Sequence, residues 1–197
     1  MFKVSCIQIC SGKDIKKNLI ITKKLILKAI KQKSDFIVTP ETSSLFGLNK
    51  KQLLETATVM EKDIYLKGIR DLAKLYKKWF LTCVLIKKKN KIKNRSVLIN
   101  PKGQITTYYD KIHMYDVSLS KKEKYLESKI FSPGTLLKTA NLPWGKLGFS
   151  ICYDLRFPNM FRILAKRGSL FISVPSAFTE TTGKKHWHSL LKARAIE

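Results

Sequence analysis

The stretch Leu147-Gly-Phe-Ser-Ile-Cys-Tyr-Asp-Leu-Arg-Phe-Pro158 joins a predicted strand, residues 146–151, to a predicted helix, residues 158–166. A cysteine stands directly where the strand ends. Layered α/β folds are typically built from such strand-to-helix units, and their ligands collect at the ends of the strands. The stretch therefore predicts an α/β domain with a candidate functional residue at Cys152.

Strands and helices alternate on both sides of this stretch. Alternating or apolar runs predict strands, and apolar residues at helical spacing predict helices. The predicted strands are residues 2–10, 35–39, 79–86, 92–99, 105–109 and 170–174; the predicted helices are 13–33, 62–77 and 184–196; residues 112–139 are expected to be loop-like. No linker or repeat interrupts the pattern, so residues 1–197 are expected to form one mixed α/β domain.

Two further strands end at reactive side chains. Phe36-Ile-Val-Thr-Pro-Glu41 ends in a carboxylate, and Thr106-Thr-Tyr-Tyr-Asp-Lys111 ends in an ammonium group. Together with the Cys152 thiol they supply a nucleophile, a proton acceptor and an anion stabiliser, which suits acyl transfer. Each also has a simpler reading: an inert buried thiol, a turn carboxylate, and one lysine among many. Composition and spacing leave both readings open.

The local sequences around these residues resemble the nitrilase superfamily of carbon–nitrogen hydrolases. The motifs are Asp35-Phe-Ile-Val-Thr-Pro-Glu41, Tyr109-Asp-Lys-Ile-His-Met-Tyr-Asp116 and Gly148-Phe-Ser-Ile-Cys-Tyr-Asp-Leu-Arg-Phe-Pro158, in the family's order. The resemblance covers the whole chain. It implies a four-layer α-β-β-α sandwich for residues 1–197.

The resemblance also implies a role for each site residue. Cys152 would attack an amide carbonyl, and Glu41 would act as general base and acid. Lys111 would stabilise the oxyanion together with the backbone N–H of Tyr153, while Glu127 would position Lys111 and the substrate. No metal or organic cofactor is expected.

The substrate is expected to be a small amide that carries a carboxylate. Residues 175–197 resemble the Nit branch of the superfamily, which includes amidases for deaminated glutathione. Arg156 is expected to bind the carboxylate through paired hydrogen bonds, or else only neighbouring structure, and Thr182 is a weaker substrate contact. The predicted reaction is hydrolysis of deaminated glutathione through a thioester, with ammonia as a product. The alternatives are an omega-amidase and an N-carbamoyl amino acid hydrolase.

Composition restricts the remaining function classes. The 44% hydrophobic share is that of a globular protein, and the four cysteines lack disulfide or metal-ligand spacing, which favours a reduced, cytoplasmic protein. No stretch is long and apolar enough for a membrane span. The net charge of +25 raises nucleic-acid binding as an alternative. Only six of the 39 basic residues are arginine, and the lysines are scattered, so a solvated surface is favoured.

Two expectations concern what lies around the site. Family members continue beyond the motif that ends at Glu197, so the chain is expected to lack the C-terminal part of the usual domain. A non-catalytic remnant or interaction protein is therefore the alternative of another class. The family also forms dimers through the helix after the nucleophile and the helix that contains Trp187, so a homodimer is expected.

Overall fold

The computed structural model describes residues 1–121 and 123–197 of the chain. Helices and strands alternate from one end to the other, as the sequence predicts for a mixed α/β domain. The elements in chain order are β1 (Val4–Cys6), α1 (Ile15–Lys31), β2 (Phe36–Val38), α2 (Lys50–Thr56), α3 (Ile64–Tyr76), β3 (Trp79–Lys88), β4 (Lys91–Ile99), β5 (Ile105–Asp110), β6 (Asp116–Ser118), β7 (Lys124–Leu126), β8 (Thr139–Leu142), β9 (Gly145–Phe149), α4 (Pro158–Lys166), β10 (Phe171–Ser173) and α5 (Glu180–Ile196).

The described strands form two larger sheets and one small pair. The first sheet has the order β1-β2-β3-β4-β5, parallel across its first three strands and antiparallel across its last three. The second has the order β10-β9-β8, and β6 pairs with β7. Strands β3 and β4, predicted as residues 79–86 and 92–99, form a hairpin, and their ladder is the longest among the described strands.

Two of the three apolar cores among the described residues pack the four layers against one another. Successive side chains of a strand point to opposite faces of its sheet. On β3, Phe80 and Val84 therefore join a core with helices α1 and α3, whereas Leu81 joins a second core on the other face. That second core contains Phe149 from the second sheet and Leu164 from α4. The layers are thus helices, sheet, sheet, helices, which confirms the predicted α-β-β-α sandwich.

Helix α1 shows how local sequence sets an element boundary. The Asp14 side chain accepts hydrogen bonds from the N–H groups of Lys16 (2.9 Å) and Lys17 (3.1 Å), which caps the helix. Asn18 in the first turn is buried and binds the carbonyls of Gly12 and Ser44. The helix start is thereby tied to the segment that follows β2.

The prediction of a loop at residues 112–139 is wrong in part. That segment contains strands β6 and β7 and the 3₁₀ turn Glu127–Lys129, and its last residue begins β8. Both strands have only three residues and expose two of them, so they carry too short an apolar alternation to be recognised. Helix α2 is not among the predicted elements; it buries only Leu53 and is fixed by a capping box between Asn49 and Gln52.

No helix in residues 1–121 or 123–197 is both long and apolar enough to span a bilayer. The four cysteines are free thiols: Cys6 and Cys10 are exposed, and Cys83 and Cys152 are buried. The cytoplasmic location stays a prediction.

Candidate active site

Three separate segments bring the predicted catalytic side chains to one cavity. Lys111 directly follows β5, whereas Glu41 and Cys152 lie three residues beyond the ends of β2 and β9. All three line a cavity of about 540 Å³. The expectation that strand ends would place these groups together describes their arrangement well.

Lys111 is held between two carboxylates. Its Nζ lies 2.9 Å from Oε1 of Glu41, and 3.0 and 2.9 Å from the two carboxylate oxygens of Glu127. The side chain is 2% exposed, and among the lysines that the structure describes it is the only buried one. Burial by itself lowers the pKa of the ammonium group, but Glu41, Cys152 and Glu127 outweigh it, so the pKa of Lys111 is raised. Lys111 therefore stays charged.

Glu41 is fixed by donors on every side. Besides Lys111, Oε1 accepts a hydrogen bond from Asn94 Nδ2 at 2.8 Å, and Oε2 accepts one from the backbone N–H of Ala177 at 2.9 Å. Three charged or polar donors from three distant segments hold the carboxylate in one orientation at 6% exposure. Such a preorganised carboxylate is suited to proton transfer.

Glu127 fixes the lysine from the other side. Its Oε2 also accepts a hydrogen bond from the N–H of Tyr115 at 2.6 Å. Burial and the nearby Glu41 raise the pKa of Glu127, while Lys111 and the Tyr115 N–H act in the opposite direction. The contact with Lys111 is the one that the positioning role requires, and the role itself stays a prediction.

Cys152 stands at a sharp backbone turn. Its φ of 49° lies in the left-handed region that side-chain-bearing residues rarely adopt. The Cys152 N–H donates to the carbonyl of Pro175 at 3.0 Å, which ties the turn to the segment after β10. Cys152 is the first residue of a short 3₁₀ turn (Cys152–Arg156), so the left-handed residue lies where the chain passes from the strand into that turn. Strain of this kind clusters at functional sites.

Asp154 stabilises the turn at Cys152 through hydrogen bonds. This fully buried carboxylate accepts hydrogen bonds from Tyr109 OH (2.7 Å), from the Ile151 N–H (2.8 Å) and from the His113 N–H (3.0 Å). His113 Nδ1 lies 2.7 Å from the same carboxylate. Tyr109 and His113 flank Lys111 in sequence, so Asp154 connects the lysine segment to the cysteine turn. The sequence analysis assigns no role to Asp154, although its place two residues after Cys152 is a usable signal.

The Cys152 thiol is protonated in the resting site. Burial and the negative charge of Glu41 raise the pKa of the thiol well above its usual value, and Lys111 only partly opposes this. A neutral thiol is a weak nucleophile. The site therefore needs a base at hand when a substrate arrives, and Glu41 is the neighbouring carboxylate.

The rest of the cavity wall is largely apolar. Leu45, Leu85 and Phe131 line it beside Tyr153 and Thr182. Thr182 is 5% exposed, and its hydroxyl lies 2.8 Å from that of Thr179. A mostly apolar wall around a few convergent polar groups is typical of a small-molecule site.

Arg156 lies apart from the other predicted site residues. It is half-buried, is not among the described residues that line the cavity, and has its Nη2 3.1 Å from Nδ1 of His186. The guanidinium carbon is 5.8 Å from the ring centres of Tyr153 and Phe178, both of which do line it. Its role in carboxylate binding stays a prediction.

Comparisons with known proteins identify the family. The carbon-nitrogen hydrolase profile matches residues 3–197. Deaminated glutathione amidase of Yersinia enterocolitica is 36% identical over 199 residues, which cover 98% of this chain and 69% of that protein.

Two solved structures share the fold. The Caenorhabditis elegans NitFhit protein superposes with a TM-score of 0.90 at 33% identity, covering 98% of this chain and 48% of that one. Saccharomyces cerevisiae Nit3, a member of branch 10 of the nitrilase superfamily, superposes with a TM-score of 0.84 at 27% identity, covering 99% and 71%. This chain spans only part of each of these relatives. It belongs to the carbon–nitrogen hydrolase family.

Proposed function

We propose that the chain is a cysteine-dependent amidase whose substrate is deaminated glutathione. The observation that carries the proposal is the convergence of Cys152, Glu41 and Lys111 on one cavity, with the lysine and the glutamate 2.9 Å apart. These groups supply a nucleophile, a base and an oxyanion stabiliser, the set that amide hydrolysis requires.

Attack begins with proton transfer from the Cys152 thiol to Glu41. The thiol is neutral at rest because burial and Glu41 raise its pKa. As sulfur bonds to the amide carbonyl carbon, the proton moves to the carboxylate and the carbonyl oxygen becomes an oxyanion. Lys111 stabilises that oxyanion electrostatically. The N–H of Tyr153, in the first turn of the 3₁₀ segment where helix N–H groups lack helical acceptors, is the second proposed donor.

Collapse of the tetrahedral intermediate breaks the carbon–nitrogen bond. Glu41 returns the proton to the departing nitrogen, which leaves as an amine, and the acyl group remains on Cys152 as a thioester. Glu41 then takes a proton from water as that water attacks the thioester. The acid leaves, and the proton passes back to the thiol.

Two observations support deaminated glutathione, a tripeptide-sized amide that carries a carboxylate, as the substrate. Several relatives are named deaminated glutathione amidase and are 33–36% identical to this chain. The cavity volume of about 540 Å³ suits a tripeptide-sized ligand. Among the described residues that line the cavity, Lys111 and Lys124 are the cations, and Lys111 is already paired with two carboxylates. Lys124 is thus a second candidate for the substrate carboxylate beside Arg156.

The expected product needs a correction for this substrate. In deaminated glutathione the amide nitrogen belongs to the cysteine residue of the tripeptide. Hydrolysis at that bond therefore releases cysteinylglycine and 2-oxoglutarate rather than ammonia. Ammonia is the product only with a primary amide such as 2-oxoglutaramate, the omega-amidase substrate.

The two products make the test direct. Purified protein is incubated separately with deaminated glutathione, 2-oxoglutaramate and an N-carbamoyl amino acid, and cysteinylglycine and ammonia are quantified. We expect the highest kcat/KM with deaminated glutathione. Cys152→Ala is expected to lose activity, whereas Cys10→Ala, which changes an exposed thiol, is expected to keep full activity. Faster ammonia release from either of the other compounds would reassign the substrate. A folded protein that turns over none of them would favour a non-catalytic role.

A further inference from the structure

Asn94 is a buried polar residue of the cavity that none of the steps above uses. It lies in β4, is 2% exposed and lines the cavity beside Glu41 and Lys111. Its side-chain nitrogen donates to Glu41 Oε1 at 2.8 Å. A carboxylate only accepts hydrogen bonds, so this contact fixes which end of the amide faces Glu41.

The other end of the Asn94 side chain is left without a partner. Its Oδ1 is buried and receives no hydrogen bond from any atom of residues 1–121 or 123–197. Buried polar atoms are nearly always hydrogen-bonded, because an atom that has lost its hydrogen bonds to water and gained no new partner costs free energy. An unpaired acceptor beside Glu41 is suited to a ligand that carries a hydrogen-bond donor.

We propose that Asn94 Oδ1 accepts a hydrogen bond from the N–H of the substrate's amide nitrogen. This contact makes the site selective for amides that carry an N–H. This inference rests on the proposed amidase function and adds a specificity determinant to it. The same side chain holds Glu41 by its nitrogen and the leaving group by its oxygen. It thereby places the reacting nitrogen next to the carboxylate that must protonate it.

The hydrogen bond acts through the step that breaks the carbon–nitrogen bond. The proton that Cys152 gave to Glu41 moves to the nitrogen, the bonding pair of the carbon–nitrogen bond stays on the nitrogen, and the thioester forms on sulfur. The nitrogen keeps its original N–H throughout, directed at Asn94. A lone pair develops on the nitrogen as the tetrahedral intermediate forms. Because the N–H points at Asn94, this lone pair is oriented toward Glu41.

The proposal separates substrates by the leaving atom. Primary and secondary amides both carry an N–H, so 2-oxoglutaramate and deaminated glutathione both satisfy Asn94. An ester of the same acid has no hydrogen on its leaving oxygen and gains nothing from Oδ1. Removal of the Oδ1 acceptor is therefore expected to lower kcat/KM strongly for the amide and only slightly for the ester.

The test compares an amide and an ester with one acyl group. The probes are 2-oxoglutaramate and the 5-methyl ester of 2-oxoglutarate, and kcat/KM is measured for both with wild type, Asn94→Leu and Asn94→Ala. Loss of the contact with Glu41 slows both substrates, whereas loss of Oδ1 slows only the amide. The amide-to-ester ratio is expected to fall about tenfold or more. Asn141→Leu, the same change at an exposed strand position, is expected to leave the ratio unchanged.

A binding measurement keeps the result independent of turnover. In the Cys152→Ala background, adding Asn94→Leu is expected to weaken binding of 2-oxoglutaramate about tenfold and to change ester binding less than twofold. An amide-to-ester ratio within twofold of wild type, or equal weakening of both ligands, would overturn the role of Oδ1. A wild-type protein that binds the amide selectively but hydrolyses nothing would overturn the amidase function and leave this inference standing.

Discussion

The ammonium group of Lys111 contacts both carboxylate oxygens of Glu127, at 3.0 and 2.9 Å, while the same nitrogen reaches Glu41 at 2.9 Å. One buried cation therefore faces two carboxylates from different segments of the chain. An oxyanion that develops near Lys111 must share it with these glutamates, so the exact direction of Nζ matters.

Glu127→Gln is expected to lower kcat/KM roughly 10- to 100-fold. The amide keeps the shape of the side chain but removes the charge that holds the ammonium group, so Lys111 moves toward Glu41. Steady-state kinetics with deaminated glutathione measure the effect. Glu180→Gln, which removes an exposed glutamate paired with Lys184, is the matched control and is expected to change kcat/KM less than twofold. Equal rates for both variants would show that Glu127 does not position the lysine.

Tyr109→Phe is expected to destabilise the protein by about 1–2 kcal/mol. The change leaves the buried Asp154 carboxylate without the 2.7 Å hydrogen bond from the phenol and removes the acceptor of the Ile112 N–H. Urea unfolding gives the free energy of unfolding. Tyr108→Phe is the control, since that neighbour is 39% exposed, and its cost is expected to stay below about 0.5 kcal/mol.

Gly134→Ala is expected to destabilise the protein by about 2 kcal/mol and to reduce activity. A methyl group at Gly134 would collide with the backbone carbonyl of Asp110, whose carbon lies 2.9 Å from the added atom. The Gly134 N–H also donates to the Lys111 carbonyl at 2.7 Å, so the collision would displace Lys111. Gly12→Ala is the control, because its added methyl group lies 3.9 Å from the nearest side-chain atom. Similar unfolding energies for both variants would contradict this packing.

The alkaline stability of the protein is expected to depend on Cys152. Burial and Glu41 raise the pKa of this thiol in the folded state, so folding favours the neutral form. The resulting stability is present below the pKa of the unfolded thiol, about 8.5, and is lost as pH rises toward the folded value. Unfolding energies between pH 7 and 10 are therefore expected to fall more steeply for wild type than for Cys152→Ala. Parallel curves would contradict the raised pKa.

Glu41→Gln gives an independent test of the same pKa. Without the negative charge, the pKa of Cys152 is expected to fall, because Glu41 is one of the two main causes of the rise. Thiolate absorbance at 240 nm, taken as the difference between each protein and its Cys152→Ala counterpart, follows the titration. A midpoint that stays unchanged or rises in Glu41→Gln would show that the carboxylate does not act on the thiol.

The meeting of Glu41, Lys111 and Cys152 at one cavity was predictable because each of their motifs is local in sequence. Glu41, Lys111 and Cys152 each end or closely follow an apolar strand, and parallel or adjacent strand ends converge in space. The cores were predictable for a similar reason: the apolar alternation on β3 assigns Leu81 and Val84 to opposite faces of the sheet. These features depend on neighbours along the chain.

The missed features depend on contacts between distant segments. Asn94 resembles any polar residue of a hairpin until Glu41, 53 residues away, is placed against it. Asp154 gains its importance from Tyr109 and His113, which lie 45 and 41 residues away. The pairing of β6 with β7 joins two three-residue strands whose alternation is too short to recognise. Tertiary contacts of this kind leave little trace in local sequence.

The proposed mechanism requires Cys152 to form a thioester with the acyl part of the substrate. Intact-mass spectrometry of protein quenched in acid during turnover of deaminated glutathione measures this directly, with peptide mapping to locate the adduct. We expect a 2-oxoglutaryl group on Cys152 that is absent from Cys152→Ala, together with loss of turnover in that variant. Appreciable hydrolysis by folded Cys152→Ala, or an adduct on Cys83 instead, would contradict it.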